Sequence, residues 1–151
     1  MITIRKAVSK DAKALFDLIK ELATYEAQLQ YLKTDLDRII DLGFSNFKSP
    51  KFEAIVAENK GVLIGYVTYT WNYSIWNGSK YMTIDDIFVY KQFRGNNIGH
   101  KLMQYVKDIC ASKNIELIKW EVESNNEKAI HFYKKLGAEV NNKSIVKWHI
   151  T

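Results

Sequence analysis

The chain has 151 residues, 47% of them hydrophobic, and its 22 Lys and Arg against 17 Asp and Glu give a formal net charge of +5. A chain of this length buries about 70% of the surface that its unfolded form exposes, so the composition favours one domain and excludes a disordered or fibrous chain. The single Cys excludes an internal disulfide, and no Cys/His cluster has metal-ligand spacing. No signal-peptide or membrane-spanning pattern is found, which predicts a cytoplasmic protein. The positive charge by itself suggests nucleic acid or another polyanion as a partner.

The first third of the chain predicts a strand followed by two helices. Apolar and polar residues alternate at the beginning of the chain, which is typical of a strand. Ser9 is then predicted to cap a helix over residues 10–24, where apolar residues recur at helical spacing. After a loop over 25–33, a shorter helix is predicted to start within the segment 34–37 and to end at Gly43.

The middle of the chain predicts three antiparallel strands. The hydrophobic period changes to two from Glu53, and the turn 59–61 connects this strand to the β-rich segment 62–71. A second turn at Asn77 and Gly78 leads to a strand over 81–90.

The last part of the chain predicts a βαβαβ arrangement. A glycine-bearing loop over 94–99 opens a long amphipathic helix, and strands are predicted over 115–123 and 144–151, with a helix over 125–136 between them. The predicted order is β-α-α-β-β-β-α-β-α-β, which is a single α/β domain (an α+β mixed sheet) over residues 1–151.

The glycine loop is a candidate anion-binding site. It places backbone N–H groups at the positive end of a helix, where phosphate binds well. No Gly-Lys-Ser/Thr follows, so it is not a Walker loop, and it lacks the G-x-G-x-x-G of dinucleotide-binding folds. A turn that uses Gly and Asn only for backbone reasons explains the loop equally well.

Motifs in the second half resemble those of the GNAT superfamily of N-acetyltransferases. The family loop reads Arg/Gln-x-x-Gly-x-Gly/Ala, and a later helix carries Asn…Ala-x-x-x-Tyr-x-x-x-Gly. The matching segments here are 87–89, 93–99 and 126–138. Within the superfamily the chain is similar to the spermidine/spermine (diamine) and thialysine N-acetyltransferases. This similarity rests on segments 18–23, 25–26, 65–69, 76–80 and 85–89.

The resemblance implies the GNAT acyl-CoA N-acyltransferase fold, acetyl-CoA as cosubstrate and no metal. In the family, a strand backbone, the loop and the start of a later helix hold acetyl-CoA. The corresponding residues are Ile87, Phe88, Val89, Arg94, Gly95, Asn96, Asn97, Ile98, Gly99, His100, Asn126, Glu127, Lys128 and Ala129. Asn97 departs from the family glycine, but Asn tolerates a left-handed backbone better than other non-glycine residues.

By the same resemblance, Tyr133 is the expected catalytic acid. The leaving group of a thioester is a thiolate, and a phenol close to the sulfur can donate the proton that it needs. The spacing of Ile130, Tyr133 and Leu136 by itself suits a core aromatic residue on a helix just as well.

The expected base is Asp85, which acts through a water molecule. An alkyl ammonium with a pKa near 10.4 loses its proton at pH 7 at a cost of about 4.6 kcal/mol, and a carboxylate can bind the cation and accept the proton. Adjacent strand residues point to opposite faces, so only one of Asp85 and Asp86 is expected to face the substrate. Tyr25 and Glu26 correspond to residues that line the amine channel in the diamine acetyltransferases.

The sequence therefore predicts an acetyl-CoA-dependent N-acetyltransferase that acts on a primary amine of a small polyamine or diamine-like substrate, by direct attack in a ternary complex. Alternatives are another amine (thialysine, an amino acid or a protein N-terminus) and a non-catalytic acyl-CoA-binding module. A homodimer is expected from the subfamily, and no nucleic-acid or membrane partner is expected. The charge supports this interpretation, since residues 21–41 carry a net 2 − 5 = −3 and residues 91–119 a net 6 − 2 = +4.

Overall fold

A computed structural model describes residues 1–45 and 49–151. Its strands and helices follow the chain in the order β1, α1, α2, β2, β3, β4, α3, β5, α4. Their bounds are β1 Ile2–Lys6, α1 Ala12–Tyr25, α2 Leu36–Gly43, β2 Glu53–Asn59, β3 Val62–Ser74, β4 Ser79–Val89, α3 Ile98–Ser112, β5 Ile118–Lys119 and α4 Glu127–Lys135. The mixed α/β fold predicted from the sequence is confirmed.

The sheet has five strands in the order β1-β2-β3-β4-β5. The pairs from β1 to β4 are antiparallel, and β5 runs parallel to β4. Both predicted hairpins are present. In the β2–β3 turn, Lys60 and Gly61 have φ values of 51° and 80°, and Gly78 in the β3–β4 turn has a φ of 64°. These left-handed backbones explain why turn residues interrupt the apolar pattern at these points.

Helices α1 and α3 cover the two faces of the sheet. On the α1 face, Leu15 and Leu18 belong to a buried cluster that also contains Tyr66 of β3 and Phe88 of β4. On the α3 face, Cys110 is buried with its Sγ atom 3.9 Å from the Sδ atom of Met82. The central strands therefore have apolar residues on both faces.

The ladder between β3 and β4 contains a β-bulge at Asp85. Thr68 pairs with Asp86 and Tyr69 pairs with Ile84, which leaves Asp85 without a partner on β3.

The bulge changes which face each residue of β4 presents. In a regular strand Met82 and Phe88 would lie on the same face, because side chains alternate with a period of two. Here Met82 contacts α3 and Phe88 lies in the cluster beneath α1. Beyond the bulge the alternation is shifted by one residue, so Asp86 lies on the α1 face together with Phe88.

Two of the predicted strands differ from the structure. The strand predicted over 115–123 is reduced to β5, which pairs with β4 at Met82 and Thr83, and the pairing ends just before the bulge. The strand predicted over 144–151 is absent, so the last β of the predicted order is wrong. Its apolar residues do alternate, but Trp148 is 88% exposed, and alternation yields a strand only where a neighbouring backbone supplies hydrogen bonds.

The cap of the first helix also differs. Ser9 begins a short 3-10 turn, and the buried carboxylate of Asp11 accepts the hydrogen bond from Val8 N–H at 2.7 Å. The same carboxylate pairs with Arg5 at 2.7 Å, so the pKa of Asp11 is lowered chiefly by this hydrogen bond. The sequence pattern could not show that Arg5 of the first strand lies close to this position. At α2 the predicted start is confirmed, and Asp35 caps the helix by accepting a hydrogen bond from Arg38 N–H.

The chain divides into two compact units, Met1–Trp120 and Glu121–Thr151. The first unit contains the sheet with α1, α2 and α3, and the second contains α4. The single domain over 1–151 stays a prediction. Within the described ranges, no helix has the length and apolar character that a membrane crossing requires.

Candidate functional site

The end of β4 has backbone groups that face away from β3. Tyr90 N–H donates to the carbonyl oxygen of Ile64 on β3 at 2.9 Å. Because successive residues of an antiparallel strand direct their N–H and C=O groups to opposite sides, Val89 and Ile87 direct theirs to the outer edge. In agreement, the Val89 carbonyl accepts a hydrogen bond from Arg94 Nε at 2.9 Å. The backbone of Ile87 is thus available to a ligand that lies along this edge.

The loop between β4 and α3 forms an anion-binding end of a helix. Gly95 and Asn97 have φ values of 84° and 63°, and Asn97 occupies the N-cap position without a side-chain capping hydrogen bond. The first helical hydrogen bond runs from Lys101 N–H to the Asn97 carbonyl, so the N–H groups of 98–100 precede the helical ladder. No acidic residue lies in the first turn. The exposed loop therefore suits a phosphate group.

The side chains of the predicted cofactor residues have different environments. Ile98 is buried under the start of α3, whereas Asn96 is exposed and donates to the Phe93 carbonyl at 3.0 Å. The Arg94 guanidinium lies 4.6 Å from the ring centroid of Tyr25 and 5.6 Å from that of Phe88. Arg94 thus connects the loop to the end of α1 through cation–π contacts.

Three carboxylates form an acidic cluster beside the end of α1. Asp85 is exposed at the bulge, and partial desolvation raises the pKa of its carboxyl group. Asp86 is half-buried, and its pKa is raised to about 6 by desolvation, by the charge of Asp85 and by that of Glu26 at the end of α1. Of the predicted substrate residues, Asp85 and Glu26 are therefore both close enough for their charges to act on Asp86. The strict alternation assumed for the two aspartates does not hold, because the bulge interrupts it.

Tyr66 lies beside this cluster, and the sequence analysis assigned it no role of its own. Its side chain is fully buried, and its hydroxyl has no hydrogen-bond partner among the described residues. Burial and the charges of Asp86 and Glu26 raise the pKa of the phenol, which is therefore neutral. The only signal in the sequence is a Tyr within an apolar strand, which suits core packing equally well.

The remaining predicted residues belong to the second unit. Tyr133 of α4 is buried, and its ring meets that of Phe132 edge-on at a centroid distance of 5.5 Å. Asn126 caps α4 by accepting a hydrogen bond from Ala129 N–H at 3.2 Å, and Glu127 and Lys128 form the first turn with Ala129. The predicted helix is confirmed, and its catalytic and cofactor roles stay predictions.

No group of three or more His, Cys, Asp or Glu side chains suited to a metal ion occurs in the part of the chain that the structure describes.

Comparison with known proteins gives consistent results. A family model described as "Acetyltransferase (GNAT) family" matches residues 13–138. The thialysine N-epsilon-acetyltransferase of Mus musculus is 31% identical over 144 residues, which cover 90% of this chain and 83% of that protein. The spermidine/spermine N(1)-acetyltransferase-like protein 1 of Homo sapiens is 25% identical over 97% of this chain and 22% of its own length.

A solved structure resembles the fold over the whole chain. It is AAC(6')-Iy in complex with the bisubstrate analogue CoA-S-monomethyl-acetylneamine. It has a TM-score of 0.73 and 18% sequence identity, and the match covers 100% of this chain and 99% of that one. At this level of identity the likeness concerns the fold alone.

Proposed function

Because the chain belongs to the GNAT family of acetyltransferases, we propose that it transfers the acetyl group of acetyl-CoA to a primary amine of a small diamine or polyamine. The observation that carries this substrate class is the acidic cluster of Glu26, Asp85 and Asp86. The charges of Asp85 and Glu26 act unfavourably on Asp86, and a cation that binds beside Asp86 offsets this repulsion. A diamine supplies two cationic nitrogens, one to react and one to remain bound.

The residues of the first unit fit acetyl-CoA as the donor. Hydrogen-bond donors and acceptors are supplied by the outward-facing backbone of Ile87 and by the uncapped start of α3. No acidic residue lies in the first turn of α3 to oppose a diphosphate. The cosubstrate supplies an activated acetyl thioester. We assign the loop residues 94–100 to its diphosphate and the start of α4 to its remaining arm.

The two proton transfers are assigned to Asp85 and Tyr133. Asp85, with a bound water molecule, accepts the proton of the reacting ammonium, which leaves the nitrogen lone pair free to attack the thioester carbon. As the new C–N bond forms and the C–S bond breaks, the Tyr133 phenol donates its proton to the departing sulfur. The acylated nitrogen then loses its second proton through water to the Tyr133 phenolate, which restores the phenol, and Asp85 releases its proton to solvent. Asp86 and Glu26 then hold the second cationic nitrogen of the substrate.

An amine panel tests the substrate class. Thiol release from acetyl-CoA is measured with 1,5-diaminopentane, spermidine, spermine, lysine, thialysine and a peptide with a free N-terminus. Lysine differs from 1,5-diaminopentane only by its carboxylate, which the acidic cluster repels, so we expect kcat/KM to be higher for the diamine. Faster turnover of lysine or thialysine would assign the chain to amino acids, as the name of the mouse relative suggests. If acetyl-CoA binds and no amine is acetylated, the proposal is wrong.

The substitution Tyr133→Phe tests the proposed acid. The ring and its packing remain, and only the proton donor is lost. We expect kcat to fall by roughly 10²-fold or more, with the affinity for acetyl-CoA retained. Tyr31→Phe, at a residue that is 67% exposed, is the matched control and should leave kcat unchanged. A Tyr133→Phe variant with the full kcat would remove Tyr133 from the mechanism.

A further inference from the structure

The buried side chain of Tyr66 carries a hydroxyl group that lacks a hydrogen bond to any described residue. Its side chain has a relative exposure of 0%, and its hydroxyl oxygen has no hydrogen-bond partner among the described residues. A buried polar group without a partner destabilises a protein, whereas phenylalanine would fill the same space without this penalty. The hydroxyl therefore points to a ligand that completes its hydrogen bonding.

The groups around Tyr66 restrict what that ligand can be. On the α1 face, Tyr66 pairs with Phe88 and Thr68 pairs with Asp86, so Tyr66 and Asp86 are diagonal neighbours on adjacent strands. The carboxylates whose charges act on Tyr66 are those of Asp86 and Glu26. An anion or a carbonyl oxygen beside two carboxylates is unfavourable, whereas a nitrogen with several N–H groups satisfies the carboxylates and the phenol oxygen together.

The same environment decides between the two nitrogens of a diamine. Neighbouring carboxylates stabilise the protonated form of an amine and therefore oppose the loss of its proton. The nitrogen that reacts must lose that proton, so a site surrounded by Asp86, Glu26 and a buried phenol suits the nitrogen that stays charged. Asp85, which is exposed at the bulge, remains for the reacting nitrogen.

We propose that Tyr66 is a specificity-determining residue whose hydroxyl oxygen accepts a hydrogen bond from the non-reacting ammonium group of the substrate, while Asp86 and Glu26 hold its charge. This inference rests on the proposed function and deepens it, because it adds the Tyr66 hydroxyl to the two carboxylates assigned to the second nitrogen. The phenol hydroxyl distinguishes a diamine from a monoamine of the same length, which has no group to satisfy it.

The test compares Tyr66→Phe with the unmodified protein on 1,5-diaminopentane and on pentylamine. We expect kcat/KM for the diamine to fall roughly 3- to 10-fold, the range of one lost hydrogen bond, and kcat/KM for pentylamine to change by less than about 2-fold. The KM for acetyl-CoA should not change. Without substrate, the Tm of Tyr66→Phe should rise by about 2–4 °C, because the unpartnered hydroxyl is removed.

Tyr69→Phe is the matched control. Tyr69 lies on the same strand and is also buried, but its electrostatic neighbours are Glu53 of β2 and Cys110 and Tyr105 of α3, and neither Asp86 nor Glu26 is among them. This variant should not change the preference for the diamine over pentylamine.

The outcomes separate the two proposals. If the unmodified protein acetylates no amine, the proposed function fails, and the shift in Tm caused by 1,5-diaminopentane still measures whether Tyr66 binds it. If the diamine is acetylated but Tyr66→Phe lowers kcat/KM equally for diamine and monoamine, or for neither, the role of Tyr66 is wrong. A fall in Tm of the substrate-free Tyr66→Phe protein would also overturn it, because the hydroxyl would then have a partner within the fold.

Discussion

Asp86 combines the substrate-binding role that we propose for it with a position that destabilises the fold. Its pKa is about 6 in the folded chain, above the ordinary value of 3.8, chiefly because of desolvation and then because of Asp85 and Glu26. Its proton is therefore bound more tightly in the folded than in the unfolded state. The free energy of unfolding should fall as the pH rises from about 4 to about 6, and it should stay lower above that range.

The substitution Asp86→Asn tests the direction of this pH dependence of the unfolding free energy. The variant should have a higher Tm than the unmodified protein at pH 8, and the gain should disappear towards pH 4, where the aspartate is protonated in both states. Scanning calorimetry across this range measures the difference. Asp108→Asn, on the exposed side of α3, is the control and should show no such dependence on pH. A pH-independent gain at Asp86 would show that its charge is not the cause.

The residue scale also shows why part of the site was predictable. Asp85, Asp86 and Glu26 were singled out from the motif resemblance, and the two aspartates also because Asp is unfavourable inside a strand. Tyr66 was assigned no role, because a tyrosine in an apolar strand has the same pattern whether its hydroxyl is partnered or not. Only the packing of α1 and β4 around it shows that the hydroxyl lacks a partner.

At the scale of elements, the loop before α3 depends on a left-handed residue. Asn97 has a φ of 63° and a ψ of 18°, and it directly precedes the helix. Asn tolerates this conformation, Gly adopts it freely, and other residues are strained in it by about 1–2 kcal/mol.

We therefore expect Asn97→Gly to unfold in urea within about 0.5 kcal/mol of the unmodified protein, and Asn97→Ala to lose about 1 kcal/mol of unfolding free energy. The glycine variant serves as the control, since it also removes the side chain but keeps the backbone conformation. Equal losses for the two variants would mean that the side chain of Asn97, and not its backbone, stabilises the loop.

The strands show how far pattern reasoning extends at this scale. The two hairpins were predicted correctly because their turn residues, such as Gly61 and Gly78, are local signals. The bulge at Asp85 was not predicted, since the register of a strand depends on the partner with which it pairs. The strand predicted over 144–151 was wrong for a related reason: alternation of apolar and polar residues does not show whether another strand lies beside the segment to pair with it.

At the scale of the whole molecule, charge is segregated along the chain. Residues 91–119, which contain the loop before α3, carry a net charge of +4, and residues 21–41, which contain Glu26 of the acidic cluster, carry −3. Screening should therefore weaken the binding of an anionic donor and of a cationic amine alike. Between about 20 mM and about 300 mM salt, we expect the KM of acetyl-CoA and of 1,5-diaminopentane to rise and kcat to change little.

Steady-state kinetics across the salt series measures this effect, with pentylamine as the control because it carries one charge fewer. The KM of pentylamine should rise less than that of the diamine. Equal salt dependence for both amines would contradict the assignment of the second ammonium to the acidic cluster.

The family, the mixed α/β class, the two hairpins and the glycine-bearing loop could all be predicted from the sequence. These features depend on residues close together in the chain, whose spacing and backbone preferences act locally. The tertiary structure decided the bulge at Asp85, the face on which Asp86 lies and the unpartnered hydroxyl of Tyr66. Each of these depends on which distant strand or helix packs beside a residue, and one slip in pairing moves a side chain to the other face of the sheet.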